Sequence, residues 1–360
     1  MSKIVLFGAT GYTGRLTAAA LRARGVEPLL AARNRSALAS VATDIGGADT
    51  AVADVTDPTS VRALLESGDV LISTVGPFLR YGRPALDAAL AAGAHYLDST
   101  GEGPFIRAVF DRDAEAREKN IGLLSAFGFD YVPGNLAAGL ALADSLEATG
   151  VRICYGIVDP GTSGGTRASM AGMMFESGFS LRDGRLRPAR LGERVHTFTV
   201  NGASRTAASI PASEHLALPH SYPGLRDVDV YLSSPPAAAR ALQIGTRVTS
   251  IAAQIAPLKA FGDAVLSRVV KGSTGGPTAE QRASTSSWIV AEALDANGAV
   301  LASTTLTGVD PYTFTASILA WGAQRALSGG LRTSGALGPV DAFGLEELTA
   351  GAAEAGLTAQ

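Results

Sequence analysis

Residues 1–14 read MSKIVLFGATGYTG. Ile4–Phe7 is an apolar run with no polar partner on either face, the pattern of a strand buried in the middle of a parallel sheet. It runs straight into Gly8, Gly11 and Gly14, and then into RLTAAALRARG, an alanine- and leucine-rich segment with helical spacing. Strand, glycine turn and helix, in that order, make a G-x-x-G-x-x-G spacing a dinucleotide site. Gly8 takes the tight turn, Gly11 lets a pyrophosphate approach the backbone, and Gly14 lets the helix pack close on the strand. The helix N-terminus offers unpaired N–H groups to phosphate charge.

Outward from this loop, strand and helix alternate regularly. Residues 27–32, 50–55, 70–75, 95–97 and 121–125 read as strands, with helices at 83–93 and 104–120. Residues 1–125 are therefore expected to form a doubly wound Rossmann domain. The end of the second strand chooses the cofactor. A fold that prefers NAD carries an acid there for the ribose hydroxyls, whereas an arginine accommodates a 2′-phosphate. This chain has Arg33, Asn34 and Arg35, so NADP is the expected cofactor; the plainer reading makes these surface residues opening a helix. Asp54 ends the third strand, placed either to meet the adenine amino group or to cap the next helix, for which Asp57 before Pro58 is the better candidate. Gly76 and Pro77 follow the fourth strand, on the edge that lines a cofactor crevice.

Past residue 125 the pattern changes. Residues 151–158, 195–200, 228–232, 286–294 and 299–307 alternate, and the last two flank Asn297-Gly298, a hairpin turn. A second α+β domain over 126–310 with a largely antiparallel sheet is expected, with helices at 136–146, 236–256 and 257–271. Residues 311–360 hold two more helices, at 313–327 and 344–355, expected to return to the first domain. The fold class is thus α/β, a Rossmann sheet plus a second α+β domain, with a site between them.

Composition narrows the classes. Of 360 residues, 46% are hydrophobic and 18% charged, which supports a sizeable core and argues against disorder. A net charge of −3 without charge runs suggests no nucleic-acid or membrane surface. Cys154 is the only cysteine, so no intramolecular disulfide forms, and the four histidines show no metal-ligand spacing. No leader-like segment precedes the first strand, and no apolar run reaches the roughly 18 residues of a membrane span. The expectation is a cytoplasmic protein with a small-molecule substrate, no nucleic-acid partner, no integral membrane segment and a homodimer left open.

Short-chain reductases share the glycine spacing but work through a Tyr with Lys at +4. None of the eight tyrosines here has that Lys; Tyr222, with Arg226, comes nearest. Cys154, inside an alternating strand, reads as a buried structural thiol. A different set of motifs appears in order: GATGYTG, LLAARNRSAL, STVGPFLRYG, AGAHYLDSTGE, FGFDYVPGNLAAG, SGGTRAS, GPTAEQRA and DPYTFTAS. Together they resemble the saccharopine dehydrogenase-like NADP-dependent reductases. Within that group the chain is most similar to the actinobacterial trans-acting enoyl reductases.

The resemblance implies that Gly8, Thr10, Gly11, Tyr12, Thr13 and Gly14 form the phosphate loop. It implies that Arg33 and Asn34 meet the 2′-phosphate, and that Thr74, Val75, Gly76 and Pro77 lie under the nicotinamide ribose. Tyr81 and Gly82 complete the motif without an assigned role. One loop departs from the pattern: relatives often read CGFDSxPxD, whereas here Ala126 and Phe127 precede the glycine, Tyr131 replaces a small residue and Asn135 an acid.

A nicotinamide enzyme needs a proton donor beside the hydride path. Candidates at the carboxyl ends of strands five and six are Asp98, Glu102, Asp130 and Tyr131, with capping or packing as their alternative roles. Ser163, Gly164, Gly165 and Thr166 offer hydroxyls and a close backbone approach to substrate, or form only a turn. Residues 171–179, AGMMFESGF, favour an apolar substrate if they face the cleft and are ordinary core otherwise. The reading is an NADP(H)-dependent oxidoreductase reducing a C=C, C=N or C=O bond of a fairly apolar small molecule. A non-catalytic NADP-binding sensor or scaffold is the alternative.

Overall fold

The computed structural model describes residues 2–159, 161–164, 166, 178–252 and 275–360. The expected helix over 257–271, Gly165, and most of the AGMMFESGF segment lie outside the described residues. The first sheet holds β1 (Ile4–Phe7), β2 (Leu29–Ala32), β3 (Thr50–Val52), β4 (Val70–Ser73), β5 (His95–Asp98) and β6 (Gly122–Leu124). Their spatial order is β6-β5-β4-β1-β2-β3 and every pairing is parallel. The order reverses between β1 and β4, which opens a crevice at the carboxyl edge of the sheet.

All four residues of β1 are buried, as the apolar run requires. Ile4 and Leu6 enter one core and Val5 and Phe7 the other, so the strand is covered on both faces. Each such burial contributes on the order of 2 kcal/mol. The crossovers carry α1 (Tyr12–Ala23), α2 (Arg35–Asp44), α3 (Pro58–Arg62), α4 (Phe78–Tyr81), α5 (Arg83–Ala92), α6 (Gly103–Phe110) and α7 (Asp113–Glu118). The helix expected over 104–120 is thus two. At the break, the Arg112 guanidinium reaches Asp87 and Glu115. Asp57 caps α3 through the N–H groups of Thr59 and Ser60.

Next come α8 (Val132–Ala143), β7 (Gly150–Val158), β8 (Gly178–Arg182), β9 (Arg185–Ala189), β10 (Val195–Val200) and β11 (Ala203–Ser209). They are followed by α9 (Glu214–Ser221), β12 (Asp227–Ser233), α10 (Pro236–Ala252), α11 (Ala279–Ser284), β13 (Ser286–Leu294) and β14 (Val300–Gly308). The second sheet runs β10-β11-β12-β7-β13-β14, with β8 and β9 attached at β12. It is antiparallel apart from β7 and β12, which are parallel. Strands β8, β9 and β11 escape the alternation pattern. Their hairpins turn on Asp183-Gly184 and Asn201-Gly202, where all four residues have positive φ.

The C-terminal segment ties the two sheets together. Helix α12 (Pro311–Leu327) packs on α1, β1, β4 and β5. Strand β15 (Gly335–Ala336) extends the first sheet beside β6, α13 (Pro339–Phe343) and α14 (Leu345–Glu354) lie against α8, and β16 (Leu357–Ala359) pairs with β14. A single core runs through Leu6 and Ile72 of the first sheet, Leu136 of α8, Ile153 and Tyr155 of β7 and Ile318 of α12. Among the described residues no helix is long and apolar enough to cross a membrane.

Candidate active site

The phosphate loop is built by what its glycines lack. Gly8 sits at φ +92, and a Cβ there would stand 2.6 Å from the Thr74 hydroxyl oxygen. A Cβ on Gly14 would run into the Gly8 carbonyl oxygen, so helix and strand could not close to their observed approach. Thr74 reinforces the turn, its hydroxyl lying 3.2 Å from the carbonyl oxygens of both Phe7 and Gly8. Gly11 begins α1 in extended conformation without a side-chain cap. Among the described residues no backbone acceptor takes the N–H groups of Tyr12, Thr13 or Gly14. Free donors at a helix start, in a cradle open to a ligand backbone, fit a dinucleotide diphosphate.

At the end of β2, Arg33, Asn34, Arg35, Ser36 and Ala39 line a cleft of about 630 Å³. The Asn34 side chain caps α2 by accepting from the Ala37 N–H at 3.0 Å, which leaves both arginines exposed around an open helix start. Asp54 accepts from the N–H and hydroxyl of Thr56, both at 2.9 Å, and these bonds hold its carboxyl below the usual range, with Arg33 adding to the effect. Val75, Gly76 and Pro77 follow β4 on the same edge and are half-buried.

The four acid–base candidates separate by geometry. Asp98 is fully buried and accepts from the N–H groups of Thr100 and Ala126 and from the Ser125 hydroxyl, each at 2.9 Å. Burial pushes its carboxyl up to about 6 against the pull of those bonds. It fastens the loop after β5 to the loop after β6. Glu102 gives one oxygen to the Phe78 N–H and the other to the Leu79 N–H, both at 2.9 Å, and so closes the start of α4. Tyr131 is buried, its hydroxyl 3.3 Å from the carbonyl oxygens of Gly101 and Pro211.

Asp130 differs from all three. Its side chain is exposed by surface area, and it accepts no hydrogen bond among the described residues. Its Oδ2 lies so close over Gly101 that a Cβ there would stand 2.9 Å away. Surrounding protein nevertheless strips enough solvent to push its carboxyl up to about 6.

Behind it lies a group that motif reading did not find. Glu214, at the start of α9, is fully buried. One carboxyl oxygen accepts from the Tyr155 hydroxyl at 2.7 Å, and that hydroxyl accepts from the Gly134 N–H at 2.7 Å. The other oxygen has no partner among the described residues. Burial raises the Glu214 carboxyl to about 8, with the Asp130 charge adding to the rise, so it is protonated at neutral pH. A Cβ on Gly134 would collide with both Glu214 and Tyr155. Asn135 donates to the Tyr131 carbonyl at 2.8 Å and to the Ser213 hydroxyl at 3.1 Å.

From the second sheet's side, the 163–166 loop turns its hydroxyls inward. Ser163 and Thr166 bond each other at 3.0 Å, and the Tyr312 hydroxyl takes the Ser163 N–H at 2.7 Å and contacts the Thr166 hydroxyl at 2.8 Å. Gly164 donates to the Gly275 carbonyl. Phe179, the described end of the AGMMFESGF segment, is core, its ring edge-on to His215. Cys154 is buried and its thiol pushed well above the ordinary range, which removes it as a nucleophile.

Residues 4–122 match the family model described as the saccharopine dehydrogenase NADP binding domain. A trans-acting enoyl reductase of Mycobacterium tuberculosis (strain ATCC 25618 / H37Rv) is 37% identical over 140 residues, 37% of this chain and 34% of that protein. One from Mycobacterium ulcerans (strain Agy99) is 35% identical over 141 residues, again 37% of this chain and 34% of that protein. The chain spans less than half the length of the curated relatives it matches. Saccharopine dehydrogenase (L-Glu forming) of Saccharomyces cerevisiae superposes over 100% of this chain and 99% of its own, with a TM-score of 0.61 at 12% identity. That likeness is one of fold. The expected resemblance, the two-sheet fold class and NADP as cofactor all hold.

Proposed function

We propose, from a chain whose residues 4–122 carry a saccharopine dehydrogenase-type NADP-binding domain, that the protein is an NADP(H)-dependent oxidoreductase. In this reading it reduces a C=C bond of enoyl type, or a C=N or C=O bond, in a fairly apolar small molecule. The bond type leans on the enoyl reductase relatives, and the apolar substrate on the AGMMFESGF segment, most of which lies outside the described residues. NADPH supplies the hydride. The protein's share is to orient the dinucleotide on the phosphate loop, to read the 2′-phosphate with Arg33 and to manage one proton.

Asp130 carries the proposal. Among the described residues it is the one candidate acid that accepts no hydrogen bond, it follows β6 on the crevice edge, and its carboxyl sits near 6, where it can hold or release a proton at neutrality. Asp98, Glu102 and Tyr131 keep the surrounding loops in place. The test is a panel of enoyl-thioesters, imines and aldehydes, followed by loss of NADPH absorbance. Asp130→Asn should lower turnover by about 100-fold or more, the scale of a lost general acid, with NADPH affinity unchanged. Full turnover in the variant would remove Asp130 from the chemistry, and a silent panel would favour the NADP-binding scaffold.

A further inference from the structure

We propose that Arg282, a residue from the second sheet's side of the molecule, binds the diphosphate of NADP(H) against the start of α1. The inference rests on the dinucleotide reading of residues 4–122. Arg282 lies on α11, which a capping box between Thr278 and Gln281 holds in place. Its Nη1 donates to the Tyr12 hydroxyl at 2.9 Å and to the Pro277 carbonyl at 3.0 Å. The Tyr12 hydroxyl in turn donates to the Pro277 carbonyl at 2.6 Å. Tyr12 is the first residue of α1, directly after Gly11 of the phosphate loop. Its ring lies so close to Gly276 that a Cβ there would stand 2.6 Å away. The 276–282 segment is therefore seated on the phosphate loop itself.

The Arg282 side chain is half-buried. Among the described residues Arg282 forms no ion pair, and its Nε and Nη2 have no acceptor. Asp310, the carboxylate whose charge is felt at Tyr12, is committed to the N–H groups of Tyr312 and Thr313. An unpaired cation in a partly dry corner is costly until an anion arrives, and the fork geometry of arginine suits phosphate. The free N–H groups of Tyr12, Thr13 and Gly14 belong to the same first turn of α1 whose Tyr12 hydroxyl Arg282 binds, so they and Arg282 can share one ligand. Arg33, by contrast, stands at the end of β2 and reads the adenosine end.

Fluorescence titration of NADPH and NADH, with adenosine 2′-phosphate as a competitor, separates the two arginines. Arg282→Ala should weaken NADPH and NADH alike by about tenfold, the size of one lost charge-assisted hydrogen bond, and leave adenosine 2′-phosphate unchanged because it has no diphosphate. Arg282→Lys, which keeps charge and loses the fork, should fall between, and it reads the same quantity if the alanine variant does not fold. Arg33→Ala should weaken NADPH and adenosine 2′-phosphate while sparing NADH. Unchanged affinity in Arg282→Ala, or a loss confined to the 2′-phosphate ligands, overturns the proposal. An Arg33→Ala result that treats NADPH and NADH alike would instead strike the NADP reading and leave Arg282 standing.

Discussion

The phosphate loop and the acid cluster around Asp130 open onto the same sheet edge, yet opposite physics builds them. The loop is a backbone device. Seven consecutive residues make it, and its shape depends on Cβ atoms being absent at Gly8 and Gly14. The cluster is a side-chain device. Asp130 comes from the loop after β6, Tyr155 from β7 and Glu214 from the start of α9, and the polar atoms of Tyr155 and Glu214 meet in a dry interior. The loop therefore fails when atoms are added to it, and the cluster fails when atoms are removed.

The largest effect is expected at Gly14. A Cβ there meets backbone, the Gly8 carbonyl oxygen and the Ala9 Cα at 2.9 Å, and no flexible side chain can move out of its way. Gly14→Ala should weaken NADPH by about 100-fold, near the upper end of what overpacking a closed site costs. Fluorescence titration reads it. Near-normal affinity would mean that the loop and α1 can part without harm, and that the cradle is less exacting than its contacts imply.

The same contrast explains what could be read from the chain in advance. Local backbone demands leave marks at fixed spacing, so Gly8, Gly11 and Gly14 after a buried strand announce both the sheet and its ligand. Arg33 follows from its place at a strand end. The second sheet is legible only where alternation is strong: β13 and β14 stand out, whereas β11, reading ASRTAAS, has no apolar face to betray it. Its hairpin with β10 is signalled by Asn201-Gly202 alone. Glu214 is not legible at all. SEHLAL carries no motif, and the tyrosine that Glu214 meets is 59 positions away. Nothing in the pattern tells a buried, protonated glutamate from a surface one until topology brings β7 beside α9. Asp98 and Glu102 show the converse limit: residue type suggested chemistry, and the bonds they make are those of caps and loop ties.

Tyr155→Phe tests the cluster by removing one atom. It leaves a Glu214 oxygen and the Gly134 N–H without partners in the core, which should cost about 2 kcal/mol in denaturant unfolding. NADPH affinity should stay within about threefold, a change of under 1 kcal/mol, because the hydroxyl bonds Gly134 and Glu214 and no residue of the phosphate loop among the described residues. A stability loss below about 0.5 kcal/mol, the range of ordinary surface substitutions, would show the network relaxing around the gap and the two regions less distinct than their geometry suggests.

The smallest effect is the most specific. An unfolded glutamate titrates near 4.3, whereas Glu214 in the folded chain sits at about 8 because burial disfavours its charge. Between those values the folded state holds a proton that the unfolded state has released. The stability this proton contributes is complete below about pH 4.3 and is lost as pH rises towards 8. Asp98 and Asp130, both raised to about 6 by burial, act in the same direction but finish earlier. His215, which burial lowers to about 4, acts the opposite way, and its contribution is complete by about pH 6.5. From about pH 6.5 to 8 the fall in stability therefore belongs to Glu214, with a slope of at most about 1.4 kcal/mol per pH unit. Glu214→Gln removes the titrating group and keeps an oxygen for the Tyr155 hydroxyl, so its unfolding midpoint should stay level across that window while the parent's declines. Parallel curves would mean that Glu214 is ionised throughout, and that Tyr155 donates to a buried carboxylate stabilised by something other than its present neighbours.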